Sequence, residues 1–502
     1  MKTQFQLKGH YYHNQFHPFQ NSAQASKHCP VNDQQVLWQA SFEDSISDQV
    51  IQSAQQGYET WRKTSLEQRI QALVRYQKEL EKNQDDIAMA LALEVGKPLW
   101  EAKTEAAALI SKVQVTIEES GKRVQDYTIK NIMNSVDGHV LYRPLGICVV
   151  IGPFNFPCHL ANGQILSALL TGNSIIFKPS EKTLYAPQLM MECFARAGFP
   201  QGVINFAVGG AKLAHELCTH PLTKGVFFTG SKQVGLKIMQ ATHQRLDQLV
   251  ALELGGKNTT IIHSDASLEH AMAETLKASY LTTGQRCTST GIIAVQRKIY
   301  DQFKHQFTQL VEKIIVDHPC DFSAQPFMSS LIDEAAVNHY FEYCQKAEEQ
   351  GAEILLPAKK LEITHGGHYV SAALHSLGQV KDEHSFLKDE IFGPQCTLVA
   401  YDDIEEAIQI SNQSEFGLAA SVFTKEKKIY QQCLTEIEAG IINLNRSTVG
   451  ASSKLPFGGL KNSGNFRPAG VTMIDHCVHP IASLETTDDQ SSQIAQIPGL
   501  KT

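Results

Sequence analysis

Two residues sit in frames suited to covalent chemistry. Cys287 lies in Gly284-Gln285-Arg286-Cys287-Thr288, and Glu253 lies in Leu252-Glu253-Leu254-Gly255-Gly256-Lys257-Asn258. A thiol can attack an electrophilic carbon, and a carboxylate can then activate the water that releases the product. A free thiol ionises near pH 8.5, so a nucleophilic cysteine needs electropositive surroundings or a base. Arg286 is adjacent in sequence, but adjacency on a loop does not place its charge at the sulfur. Ten other cysteines occur in the chain. Residue type alone therefore leaves Cys287 open as nucleophile or as buried filler. Glu253 follows Leu249-Val250-Ala251-Leu252, a strand by pattern, and Gly255-Gly256 breaks that strand. Open α/β sheets put ligand chemistry at the carboxyl ends of strands. The plain alternative for Glu253 is a solvated strand-end acid.

Two further segments could serve such a pair. Phe228-Thr229-Gly230-Ser231-Lys232-Gln233-Val234-Gly235 places a Gly-bounded turn between a strand and a helix. Bare N–H groups at a helix N-terminus suit phosphate. Lys-Ser/Thr does not follow Gly235, so the turn is not a P-loop, and the Rossmann GxGxxG pattern is absent. In Gly152-Pro153-Phe154-Asn155-Phe156-Pro157 two prolines bracket an asparagine. Rigid backbone there could hold the Asn155 amide as an oxyanion donor, or the residue is an ordinary turn asparagine. His10, His13 and His17 have metal-like spacing but no cysteine or acid arranged around them, and no zinc site is expected.

The elements that must position these groups alternate. Residues 44–125 read as helices, with Ser65-Leu66-Glu67-Gln68 as a capping box. From residue 146, short β-branched runs alternate with helical stretches: 147–151, 174–177, 203–206 and 226–228, separated by helices near 162–170, 186–197 and 231–243. This is the rhythm of βαβ units around a parallel sheet. A second α/β stretch follows Glu253, with strand-like runs at 291–295 and 397–400. The tail 487–502 is polar and reads as loose.

The chain has 502 residues, which predicts two or three domains. Hydrophobic residues at 42% and charged residues at 19% describe an ordinary globular composition. A net charge of −8 with no basic run argues against a general nucleic-acid or membrane-surface binder. The first residues lack an apolar signal-peptide core. No run approaches a membrane span. Eleven cysteines without CxxC favour reduced thiols, hence a cytoplasmic enzyme.

Taken together, GPFNFP at 152–157, FKPSE at 177–181, FTGS at 228–231, LELGGKN at 252–258, GQRC at 284–287, EIFGP at 390–394 and PFGG at 456–459 resemble the aldehyde dehydrogenase superfamily, in family order. The resemblance covers about residues 40 to 485. Within it, Gly96 to Ala102, Phe156 to Gly163 and Ser463-Gly464-Asn465-Phe466-Arg467-Pro468 are similar to the N-succinylglutamate 5-semialdehyde dehydrogenase subfamily. Lys257 and Asn445-Arg446-Ser447-Thr448 instead resemble the 1-pyrroline-5-carboxylate (glutamate semialdehyde) dehydrogenases.

The resemblance implies roles for single residues. Cys287 would be the nucleophile. Asn155 and the Cys287 N–H would form the oxyanion hole, and Glu253 would be the base of thioester hydrolysis. NAD would be the cofactor, with Lys178 and Glu181 at the adenosine ribose. Gly230, Ser231 and Gly235 would lie under the pyrophosphate, Glu390 at the nicotinamide ribose and Phe392 against the nicotinamide end. The loop carrying Arg446, Gly450, Ala451 and Ser452 would receive a substrate carboxylate. The implied fold is α/β. It comprises a Rossmann-like NAD domain (1–128, 148–255 and 441–474), a catalytic α/β domain (256–440) and an oligomerisation hairpin (129–147 with 475–490). The hairpin implies a homodimer or homotetramer. Two alternatives from other classes are a cofactor-free thiol hydrolase built on Cys287 and a catalytically silent relative. A broad-range aldehyde dehydrogenase is the alternative within the class.

Overall fold

The computed structural model describes residues 4–21, 25–42, 45–363, 366–381 and 383–487. Nearly all of the polar tail, and residues 488–490 of the hairpin segment, lie outside the described residues. The strand-rich runs pair as two sheets. The first is ordered Leu249–Glu253, Thr223–Thr229, Ile147–Ile151, Ser174–Lys178, Ile204–Phe206, His10–Tyr12, Gln15–His17. Its first five strands are parallel. Every side chain of Ile147–Ile151 and Ser174–Lys178 is buried. Helices cover both faces, so near-continuous apolar strands replace alternating ones.

The strand order reverses between Ile147–Ile151 and Thr223–Thr229. Such a switch point opens a crevice at the carboxyl ends of the strands. Two of the segments singled out in the sequence, Gly152–Asn155 and Gly230-Ser231, leave the sheet on either side of it.

The N-terminal residues give no strand signal in sequence, yet they add the antiparallel pair His10–Tyr12 and Gln15–His17 to the sheet edge. His10 and His17 are register partners there, and His17 stacks on Tyr12 at 3.8 Å. Helices fill 47–124, with the Ser65 capping box formed. A buried carboxylate organises this layer. Glu94 accepts hydrogen bonds from the N–H groups of Leu184, Tyr185 and Ala186 and from Trp38 Nε1. It thereby caps the helix Tyr185–Arg196 from a distance, with negative charge at the positive helix end.

The second sheet is ordered Glu353–Leu356, Ala373–Leu377, Gln395–Tyr401, Thr290–Gln296, Asn258–Ile262, Ala419–Phe423, Ile441–Leu444. All but the first strand run parallel. A third sheet joins Tyr127–Met133, Val136–Pro144 and Val478–Thr486. The last two pair over nine residues, from Val478 with Pro144 to Thr486 with Val136. Among the described residues no helix is long and apolar enough to cross a membrane.

Candidate active site

The sequence motifs meet because each supplies a glycine where another supplies a functional atom. A Cβ on Gly256 would lie 2.3 Å from the Cys287 carbonyl oxygen, and one on Gly255 would lie 2.2 Å from Glu390 Oε2. Gly284 has φ +70°, and a Cβ there would lie 2.1 Å from the Gly393 carbonyl. Asn258 Nδ2 donates to the carbonyls of Cys287 and Ser289, both at 2.8 Å. The runs 252–258, 284–287 and 390–394 are therefore one packed unit. The spacing between real atoms forbids a side chain at their contacts.

Thr282 and Thr283, shortly before Cys287, have φ of +55° and +54°. Left-handed backbone is strained for β-branched residues and persists only when neighbours hold it. Glu101 supplies that hold. It accepts from the Thr282 N–H at 3.0 Å and from the Thr282 hydroxyl, and it pairs with Arg286 at 2.5 Å. Arg286 is thus committed to Glu101 and to the Phe156 ring, 5.0 Å from its centroid.

Asn155 is buried. Its Nδ2 donates to the Gln285 carbonyl at 2.8 Å, which uses one of two amide hydrogens and fixes the plane of the group. Its own carbonyl accepts from Lys97 Nζ at 2.7 Å, and the same ammonium pairs with Glu105 at 2.7 Å. Lys97, Glu101 and Glu105 are charged groups that sequence reasoning missed. Glu101 and Glu105 lie on the buried face of the helix Leu99–Val115 with Ala102, Ala106 and Leu109. Acids at helical spacing among alanines and leucines were the available signal.

Glu253 ends its strand 1% exposed, and both carboxylate oxygens lack a hydrogen-bond partner. Burial pushes its carboxyl well above the usual range. Its strand lies at the sheet edge, where Asn465 clasps it. The Leu252 N–H donates to Asn465 Oδ1 at 2.7 Å and Asn465 Nδ2 donates to the Val250 carbonyl at 3.1 Å. The Gly230 N–H donates to the Glu253 carbonyl at 3.0 Å, joining the turn to the acid.

Two cavities meet at Cys287. The first, of about 550 Å³, lies at the switch point and is lined by Asn155, Lys178, Glu181, Gly230, Ser231, Cys287, Glu390 and Phe392, among others. The second, of about 350 Å³, also reaches Cys287 and shares Asn155 and Leu160 with the first. Ala451 and Ser452 line the second cavity, whereas Arg446 and Gly450 do not. Arg446 is exposed, and the Gly450 N–H donates to the Ser447 carbonyl. Cys287 itself is half-buried. Burial raises its thiol, the Glu253 and Glu390 carboxylates raise it further, and Arg286 opposes them.

The first cavity fits a dinucleotide. Lys178, 3% exposed, and Glu181 form a 3.5 Å ion pair at one end. Burial lowers the Lys178 ammonium, with Glu181 opposing. Ser231 caps the helix Lys232–Thr242, whose first turn holds no acid. Gly235 packs on Leu254 and sits within that helix rather than in the turn. At the other end Glu390 Oε1 accepts from the Gly256 N–H at 2.9 Å, and burial raises its carboxyl to about 7. Phe392, at φ +51°, meets Phe154 edge-on at 5.6 Å. A carboxylate pair of this kind suits ribose hydroxyls, and a capped helix start suits a pyrophosphate.

The sequence pattern of the aldehyde dehydrogenase family matches residues 18–480, and the chain belongs to that family. It is an NAD(P)-dependent aldehyde oxidoreductase. The N-succinylglutamate 5-semialdehyde dehydrogenase of Novosphingobium aromaticivorans is 32% identical over 94% of this chain and 98% of that protein. Its namesake from Legionella pneumophila strain Corby is 34% identical over 93% of this chain and 92% of that protein. An NAD-dependent aldehyde dehydrogenase of Sinorhizobium meliloti superimposes with a TM-score of 0.91 at 25% identity, over 98% of this chain and 96% of that one.

Proposed function

We propose that the chain oxidises N-succinyl-L-glutamate 5-semialdehyde to N-succinyl-L-glutamate with NAD, in the cytoplasm. The observation that carries the chemistry is Cys287 at the junction of two cavities, with Glu253 buried and unpartnered nearby. The names of relatives matching over nine-tenths of the chain support the substrate. Eleven free thiols support the compartment.

In this reading the aldehyde enters from the second cavity. The Cys287 thiol gives up its proton to water, Sγ bonds to the carbonyl carbon as the C=O π bond opens, and the oxygen becomes an oxyanion held by the free Asn155 amide hydrogen and the Cys287 N–H. A dinucleotide held in the first cavity would supply the hydride acceptor for this carbon. The remaining thioester sits on Cys287. Glu253, once ionised, takes a proton from water, whose oxygen attacks the thioester and frees the acid and the thiol. Lys178 and Glu181 would hold the adenosine ribose, Gly230 and Ser231 the pyrophosphate, and Glu390 the nicotinamide ribose. Ala451 and Ser452 would meet a substrate carboxylate.

We divide the chain at 129–147 and 256–440, a reading the larger sheets support, except that Ile441–Leu444, expected in the NAD domain, pairs with Ala419–Phe423 of the second sheet and the third sheet begins at Tyr127. The sheet at 127–144 and 478–486 supports a homodimer or homotetramer. The substrate reading is tested by kcat/KM for N-succinylglutamate semialdehyde against glutamate semialdehyde and hexanal. A preference of roughly tenfold or more for the first is expected, because buried polar groups left unpaired cost about 1–3 kcal/mol. Parity among the three would reduce the chain to a broad-range enzyme.

A further inference from the structure

The second cavity carries one charge that no acid among the described residues neutralises. Three charged side chains line it: Glu105, Arg286 and Lys112. Glu105 is paired with Lys97 at 2.7 Å and Arg286 with Glu101 at 2.5 Å. Lys112, 4% exposed, donates only to the Gly470 carbonyl, at 3.1 Å. Among the described residues no carboxylate comes within ion-pair distance of it. Its ammonium is pulled down to about 8 by burial.

The surroundings of Lys112 point to an anion rather than to a structural tie. His159, on the same cavity wall, keeps Nδ1 buried and without a partner. Its imidazole is lowered to about 4, first by burial and then by the positive charges of Lys112 and Lys97. It is therefore neutral, and among the described residues its buried Nδ1 has no hydrogen-bond partner. Gly163 stands within the helix His159–Leu170, where glycine is disfavoured. A Cβ there would sit 3.2 Å from Lys112 Cε and 4.0 Å from Nζ. The glycine thus makes room for the Lys112 stem, whose ammonium lies at the cavity wall. A buried cation is costly unless a counter-charge arrives.

We propose that Lys112 receives a carboxylate that the aldehyde carries away from its reacting carbon, with His159 beside it, and so sets the preference for anionic aldehydes. This deepens the substrate reading above and rests on it. A substrate with two carboxylates would engage Lys112 with one and the Ala451-Ser452 wall with the other.

The test uses the full-length enzyme with NAD and the variant Lys112→Met, which keeps an unbranched side chain one atom shorter and removes the charge. KM for N-succinylglutamate semialdehyde should rise at least roughly tenfold with kcat nearly unchanged, while hexanal should be used as well as before. Lys112→Arg should recover part of the loss. Glutarate, a dicarboxylate with no aldehyde, should inhibit the wild type competitively against hexanal and lose roughly tenfold or more in Lys112→Met. The variant should melt no lower than the wild type, since an uncompensated buried cation is gone. Equal losses for both aldehydes with a lower Tm would assign Lys112 a structural role and overturn the proposal, as would unchanged glutarate inhibition. If the wild type itself favours hexanal, the substrate reading fails, and the glutarate result still decides the role of Lys112.

Discussion

At the scale of single residues, the notable feature is a carboxylate buried without partners, the proposed base Glu253. Both Glu253 oxygens are buried and unbonded, and burial alone raises the carboxyl. A group raised on folding contributes stability that is complete below its unfolded value, about 4.5, and is lost as pH rises through the folded value. Glu253→Gln should therefore melt higher than the wild type, with a gap that widens from pH 5 to pH 8 in thermal scans. A gap that narrows over that range would refute the assignment. The same variant should show a stoichiometric burst of NADH and then slow turnover, because its missing step follows hydride loss. Cys287→Ala should show neither burst nor turnover, and a normal steady state there would sink the nucleophile. At the opposite end of the cavity Glu181 can accept from a ribose 2′-hydroxyl and repels a 2′-phosphate. Glu181→Ala should narrow the preference for NAD over NADP, measured as the ratio of kcat/KM values. The Lys178 ion pair softens the repulsion, so the starting preference should be incomplete.

At the scale of elements, the proposed nucleophile Cys287 follows a strained turn held by a remote helix. Glu101 on Leu99–Val115 satisfies Thr282 and pairs with Arg286, both beside Cys287. Removing one partner of a buried pair typically costs about 3–5 kcal/mol, since the other charge is left uncompensated. Arg286 is partly reachable by water, so Glu101→Ala should lose nearer about 2–3 kcal/mol in urea denaturation. Glu101→Gln should lose less, because it still accepts from Thr282. Equal stability of both variants and wild type would remove Glu101 from this role. This dependence also marks where the sequence stopped being legible. Periodicity located the parallel strands and helices from residue 146 on, and the motif runs located Cys287, Asn155, Glu253 and the residues of the first cavity. Those signals are local. Two of the N-terminal strands, His10–Tyr12 and Gln15–His17, were missed because they are three residues each, too short for alternation to register. The Lys97–Glu105 and Glu101–Arg286 pairs were missed because their partners are set by packing. Arg446, chosen for its charge, points to solvent, while Lys112, on an apolar helix face, lines the cavity.

At the scale of the whole molecule, the third sheet leaves an apolar surface that one subunit does not cover. All seven residues of Tyr127–Met133 are exposed, including Tyr127, Ile129, Ile132 and Met133, each near half. Ile481 and Leu484 on Val478–Thr486 are exposed to a similar extent. An open edge strand with apolar side chains invites pairing, and evolved proteins usually block such edges or use them. The only described ion pair of Tyr127–Met133 is Lys130 with Asp137, which ties the strand to its own neighbour and leaves the outer apolar side chains unblocked. Isologous pairing of identical subunits would bury the strand, since each copy presents the same surface to the other. The double variant Ile129→Glu, Leu484→Lys should then shift the mass measured by light scattering from an oligomer toward the monomer. Neither position lines a described cavity, so single-subunit folding should persist and the circular dichroism spectrum should not change. Cofactor binding should also survive, because the dinucleotide cavity is lined by residues from 151 to 392 of one chain. A wild type that is monomeric at micromolar concentration would refute the oligomer outright. An oligomer unmoved by both charges would place its interface elsewhere on the surface.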